Sequence, residues 1–312
     1  MMKARNEKGQ ATVLTLVFLT VLLGMAALVL DVGSWYRADR DTQSTADAAA
    51  LAGAQALPES TADASSLASS YASKNGGGLN GVSVSSSISP NDTIKVTVKR
   101  PAPGIFTKLF GVSSVNVGSS ATARVGALAQ AMYVAPIVVN IKHPALHCGG
   151  TEMRPDPCFG QPTEIDLLDL HKPGGKDAAG SFGLINLTGD PTGNIGATTL
   201  ADWMDKGYDR MMPLGTYYAA PSTNFNNGQF LSALENRIGD DVLFPIYDTL
   251  RSPGSNAQYN VIGWIAFHVT SYNASGSTGW VRGWFTRVIW RGIQSTSSSG
   301  SNWGAKTIQL VD

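Results

Sequence analysis

The densest group of chemically capable side chains in this sequence is His143, His147, Cys148 and Cys158. Two cysteines ten positions apart, in a stretch that also holds Gly149, Gly150, Pro155 and Pro157, suit a disulfide. With the two histidines they also suit a Cys₂His₂ zinc site, and a pair of free thiols is the third option. They are the only cysteines in the chain, so no other intramolecular pairing exists. Zinc asks more, because both imidazoles must converge on one point and need partners of their own to orient them. An oxidising compartment favours the bridge, and closing a loop of this size stabilises by roughly 3 kcal/mol in the chain-entropy model. The expectation is a Cys148–Cys158 disulfide with no metal, and on any of the three options the role is structural.

Other chemistry is thin. There is no G-x-S-x-G, no Walker A, no G-x-G-x-x-G and no EF-hand loop. His143-Pro-Ala-Leu-His147 lacks the Glu that serves as base in H-E-x-x-H, and Pro144 interrupts the helix that motif requires. No catalytic residue and no cofactor are therefore expected, and the chain reads as a non-enzyme. Asp31 reads as a marker of a helix leaving a membrane, and Asp47 as a solvated helix position. Trp264, Trp280, Trp284 and Trp290 either stiffen a hairpin or form a face for a sugar or protein partner. Lys+Arg and Asp+Glu are both 23, so nothing builds the basic surface that neutralises phosphates, and nucleic acid is not an expected partner.

The elements that position these residues begin with Ala11 to Leu30, ATVLTLVFLTVLLGMAALVL, which carries no charge. As a helix those residues span about 30 Å, the thickness of a hydrocarbon core. Twelve of them are Leu, Val or Phe, which favours insertion by about 5 kcal/mol before the Thr and Gly contributions. A cleaved secretory signal is the rival reading, since Lys3, Arg5 and Lys8 form a basic leader. The apolar run is longer than an ordinary signal core, however, and no clear A-x-A site precedes Asp31, so a retained anchor fits better. Three basic residues before the span, against Arg37 and Arg40 with Asp39 and Asp41 after it, place the N-terminus in the cytoplasm.

Beyond the span, DVGSWYRADRDTQSTADAAALAGAQAL runs to Leu57 without a proline, and Trp35 and Tyr36 fall where an interfacial aromatic belt belongs. Ala46, Ala49, Ala50, Gly53 and Ala54 sit at helical spacing and make a stripe of small side chains. Such a stripe lets another backbone approach closely; the approaching element belongs either to the same domain or to a partner.

The leader KARNEKGQA, the run ending LVLDVGSWY, and the block DTQSTADAAALAGAQAL with its ADAAALA core at Ala46 to Ala52 resemble the TadE/TadG-like Tad pilus-assembly proteins. The stretch PAPGIFTKLFGVSSVNVGSSATARV, Pro101 to Val125, is similar to the short sheet region that follows in that group. The resemblance is strongest over the N-terminal, TadG-like region. It implies an envelope protein for making or anchoring Flp-type pili, with no enzymatic step. Two departures stand out. No D-x-S-x-S metal motif of a von Willebrand A-type domain is present, since Asp63-Ala64-Ser65-Ser66-Leu67 fails at its fifth position. The fifth residue after Gly9 is Leu14, where processed pseudopilins carry Glu.

The remaining chain reads as a helix over 61–74 broken by Gly76-Gly77-Gly78, then strands at Val82 to Ile88, Thr93 to Lys99 and Ser114 to Val125. Ser89-Pro90-Asn91-Asp92 is a turn signal between the first two. Later strands are expected at Val134–Ile141, Glu164–Leu170, Phe182–Leu187, Val242–Leu250, Tyr259–Asn273, Trp280–Gly292 and Lys306–Val311, with helices at Leu200–Lys206 and Gln229–Ile238. The fold class is α+β: a transmembrane helix continuing into a long Ala-rich helix with a small antiparallel sheet, then a mainly β domain with two short helices. The boundaries expected are a leader over 1–10, an anchor over 11–30, a TadG-like region over 31–125 and an extracytoplasmic domain over 126–312. The function expected is a single-pass component of pilus assembly in the bacterial cytoplasmic membrane, touching the bilayer through 11–30 and other assembly proteins or pilin beyond it. The alternative is a surface-exposed binding module for glycan or protein ligands.

Overall fold

Without a proline or a cluster of turn formers between residues 8 and 54, the backbone has no reason to leave the helix, and it does not. In the computed structural model, which describes residues 8–148, 156–161, 165–166, 183–193, 195–220, 227–252, 256–273, 280–297 and 303–311, α1 runs unbroken over Lys8–Ala54. Its 47 residues measure about 70 Å at 1.5 Å per residue. The apolar part packs against nothing among the described residues. Thr15 and Thr20 donate their hydroxyls back to the carbonyls of Ala11 and Leu16, at 2.9 and 2.8 Å, so neither polar group is left bare along the apolar run.

The chain divides into two units, residues 1–124 with 310–312, and residues 125–309. In the first, α1 is followed by α2 (Thr61–Lys74), whose first turn is capped by Ser60 accepting from the Asp63 N–H at 3.1 Å. Gly76, Gly77 and Gly78 all hold positive φ (101°, 76° and 82°), a run that side-chain-bearing residues do not tolerate, and this ends the helix. Strand β1 (Leu79–Ser85) then pairs antiparallel with β2 (Thr93–Pro103), and β2 with the 114–124 portion of β3 (Ser114–Ala131). Ile94, Val96 and Val98 are fully buried, as their alternation with Lys95, Thr97 and Lys99 predicts.

The second unit is built around β9 (Asp241–Arg251) and β10 (Gln258–Asn273), long antiparallel strands that read as near-continuous apolar runs because both faces are covered. Around them the order is β4 (Val139–Asn140), β9, β10, β11 (Trp280–Thr286) and β5 (Ile165–Asp166), with β6 (Ile185–Asn186) joined through β8 (Gly215–Ala219) to β10. One face carries Phe244, Ile265, Phe267 and Phe285 beneath α3 (Ala197–Lys206) and α4 (Gly228–Asn236), which contribute Leu200, Met204, Phe230 and Leu234. The other carries Leu243, Tyr247, Tyr259, Val261 and Trp264. Short strands β7 (Met212–Pro213) and β13 (Gly292–Gln294) pair with the 128–131 end of β3, and β12 (Val288–Ile289) lies parallel to β14 (Ala305–Val311).

The architecture is the α+β class expected. Differences lie at the edges. The apolar run at 134–141 forms only the two-residue β4, because its other members reach neighbours through isolated bridges such as Val134 to Leu243 and Ile137 to Leu184. The stretch from 280 to 292 is three strands, not one. Strand β8 has no clear sequence signal, since GTYYA shows no clean alternation. Of the strands expected at Glu164–Leu170 and Phe182–Leu187, Glu164, 167–170 and Phe182 lie outside the described residues.

Candidate functional site

Asp31 is the first charged residue after the apolar span, and it is completely buried. Its carboxylate accepts the backbone N–H groups of three successive residues: Ile105 at 2.8 Å, Phe106 at 3.0 Å and Thr107 at 2.6 Å. Burial opposes the charge. The hydrogen bonds from Thr107, Ile105 and Phe106 outweigh it, so the carboxyl titrates below the ordinary aspartate value. The expectation that Asp31 only marks the membrane exit is therefore too weak. It also clamps the loop between β2 and β3 onto α1, a role invisible locally because the partner lies 74 residues on.

Two further contacts continue this seam in order along the helix. The Trp35 indole N–H donates to the Pro103 carbonyl at 3.3 Å. The Arg100 guanidinium donates to Thr45 Oγ1 at 2.7 Å and to the carbonyls of Asn75 and Gly77 at 2.8 and 2.9 Å. That one side chain ties α1, the glycine turn and β2 together, and a Cβ on Gly78 would come within 2.6 Å of Arg100 Cγ. Arg100 has no local sequence signal: it is one basic residue among several and lies just past the strand expected over Thr93 to Lys99.

The small stripe lies in the same unit. Ala46, Ala49, Ala50 and Ala54 are wholly buried, and a Cβ on Gly53 would meet Ala64 O at 2.8 Å and Ile94 Cδ1 at 2.6 Å. The backbone that approaches the stripe is thus α2, with β2 beside it. Asp47 is half-buried and accepts from Gln43 Nε2 at 2.7 Å, so it is not simply solvated.

In the second unit Cys148 and Cys158 are bridged, with Cα atoms 5.3 Å apart. Both sulfurs are consumed by the bond, so neither is a thiolate ligand. His143 caps a single 3₁₀ turn over Pro144–Leu146 by accepting the Ala145 N–H at 3.2 Å, and His147 Nε2 lies against the Ile141 carbonyl. The backbone on either side of the bridge is fixed by Cys148 N–H to Asp156 O at 2.9 Å and Cys158 N–H to Ala145 O at 2.8 Å.

The four tryptophans do not share one face. Trp264 is core, and the Trp290 N–H donates to the Met132 carbonyl at 2.7 Å. Trp280 and Trp284 are half-buried on the outer side of β11, where the Arg282 guanidinium lies over Trp280 and the His268 ring stacks on Trp284 with centroids 4.5 Å apart. His268 Nδ1 also meets Asp241 at 2.9 Å. These pairings account for the aromatic residues as sheet-stabilising contacts.

A bare apolar helix clamped at one end to a small unit of helix and antiparallel sheet is compatible, as a class, with a protein anchored in a membrane by a single pass. Residues 9–56 match the family model Tad, Flp pilus-assembly TadE/G-like. The matched stretch is α1 from its second residue onward and the two residues after it, so helix and family together point to a membrane-anchored, Tad pilus-related protein of a generally structural family. No curated protein and no solved structure matches the chain.

Proposed function

We propose that this chain is a non-catalytic scaffold of Flp/Tad-type pilus assembly, held in the bacterial cytoplasmic membrane by residues 11–30. In this reading the N-terminus is cytoplasmic, residues 31–125 form the family-like region, and residues 126–312 form an extracytoplasmic domain. The observation that carries it is the coincidence of the family match with a helix that is apolar and uncovered in its first half and packed in its second. Its partners are other pilus-assembly membrane proteins or the pilin itself. The small-residue stripe serves the chain's own packing, so partner recognition falls to other surfaces. The direct test is deletion of the gene in a fibre-producing host. Fibres should vanish while secretion of unrelated proteins continues, and should return with the full chain supplied in trans. Normal fibres in the deletion strain would remove the proposal.

A further inference from the structure

We infer that the loop between β2 and β3, residues 104–113, inserts into the lipid leaflet from which α1 emerges, giving the protein a second membrane contact beside its anchor. The inference rests on reading residues 11–30 as membrane-spanning.

The loop sequence is GIFTKLFGVS. Leu109 and Phe110 are each 83% exposed and Ile105 is 60% exposed, with Phe106 and Val112 also exposed. Isolated apolar residues on a surface mean little, but five within eight positions on one loop form a patch that water disfavours. Nor is the loop loose. Gly104 N–H bonds Ser113 O at 3.0 Å, Val112 N–H bonds Thr107 O at 3.0 Å, and a 3₁₀ turn over Thr107–Phe110 ends at Gly111 with φ 84°. A built loop that shows its apolar side chains outward has a surface to meet.

The seam along α1 says which surface. From Arg100 to Thr107 the chain advances seven residues, out of β2 and into the loop, while its helix partner moves back from Thr45 through Trp35 to Asp31. Fourteen helical residues are about 21 Å, within the roughly 25 Å that seven residues can span at most. The hairpin therefore runs alongside the helix toward the span, and its tip is clamped at the residue that follows Leu30. Leu28, Val29 and Leu30 are themselves over half exposed, and apolar. At that level the medium around the helix is the boundary of acyl chains and headgroups, which receives Leu and Phe readily. Lys108, in the middle of the loop, has the length to carry its charge back to the headgroups.

The test uses the full chain reconstituted in phosphatidylcholine–phosphatidylglycerol bilayers, with its own disulfide intact. Single nitroxide labels go on Leu109→Cys and Phe110→Cys, on Leu23→Cys in the span and on Lys95→Cys in the exposed part of β2. The readout is the ratio of collision with oxygen to collision with a nickel chelate. At positions 109 and 110 the ratio should rise several-fold above that at 95 and approach that at 23. In an Asp31→Ala background it should fall at 109 while staying high at 23. A ratio at 109 and 110 equal to that at 95, with 23 in lipid, overturns the inference and leaves the anchor standing. Labels at 109 and 110 shielded from both reagents overturn it in favour of a protein contact. An aqueous label at 23 removes the anchor and the inference together.

Discussion

Asp92 repeats at a distance from the membrane what Asp31 does beside it. It is 2% exposed and accepts the N–H groups of Ser87, Ile88 and Ser89 at 2.7, 2.8 and 2.9 Å, with the Thr93 hydroxyl at 2.7 Å. Burial raises its pKa, the bonds from Ser89, Ser87 and Ile88 lower it by more, and the net value lies below the ordinary one. A carboxyl whose folded pKa is depressed contributes stability that is complete above its unfolded value and lost as pH falls through the folded one. Asp92→Ala should therefore destabilise by about 1–3 kcal/mol at neutral pH. The difference from the parent should shrink as the pH drops below the ordinary aspartate range. Thermal unfolding in detergent at several pH values measures this, and a gap that widens on acidification contradicts it. Gly53 offers a second test. Alanine there gains helix propensity of about 1 kcal/mol, yet its Cβ meets a backbone carbonyl at 2.8 Å. Overpacking of this kind costs about 1–3 kcal/mol, so Gly53→Ala should lower Tm, whereas Gly33→Ala, with nothing within 4 Å, should not. Equal effects at the two positions would show that the stripe is not close-packed.

At the scale of elements, α1 does two jobs with one continuous hydrogen-bonded rod. Its first half needs no partners because its backbone is satisfied internally and its side chains suit lipid. Its second half carries small residues, which let α2 and β2 come close enough to bury Leu57, Ile94 and Val96. The proposed orientation of the rod rests on charge: Lys3, Arg5 and Lys8 precede the span, and Arg37 and Arg40 after it stand beside Asp39 and Asp41. Alkaline phosphatase fused after Val125 should accordingly be active in intact cells. A fusion that accumulates stably but stays inactive, while a cytoplasmic reporter at the same point works, reverses the topology and withdraws the compartment argument for the disulfide.

For the whole molecule, what the sequence could say followed from information that is local along the chain. The charge-free run at 11–30 suits a hydrocarbon core whatever folds after it, since it holds twelve large apolar residues and no charge. The absence of breakers before Pro58, the three glycines at 76–78 and the alternation at 93–99 likewise state helix, turn and strand without reference to anything distant. The stripe from Ala46 to Ala54 announced a close approach, but small side chains carry no information about who approaches, and only packing shows that it is α2 with β2. For Cys148 and Cys158 the expected bridge rested on compartment and on being the only cysteine pair, because three-dimensional convergence of His143 and His147 is not a sequence property; the fold joins the sulfurs and sends the imidazoles to backbone groups. Asp31 was read as a boundary mark and proved to be a clamp. Its donors are backbone N–H groups, which every residue but proline possesses, so no side-chain pattern at 105–107 could have announced the bond. Length, composition and period determined the apolar span and most of the longer elements. The contacts that hold them together join groups some 70 positions apart, and those were decided only when the chain closed on itself.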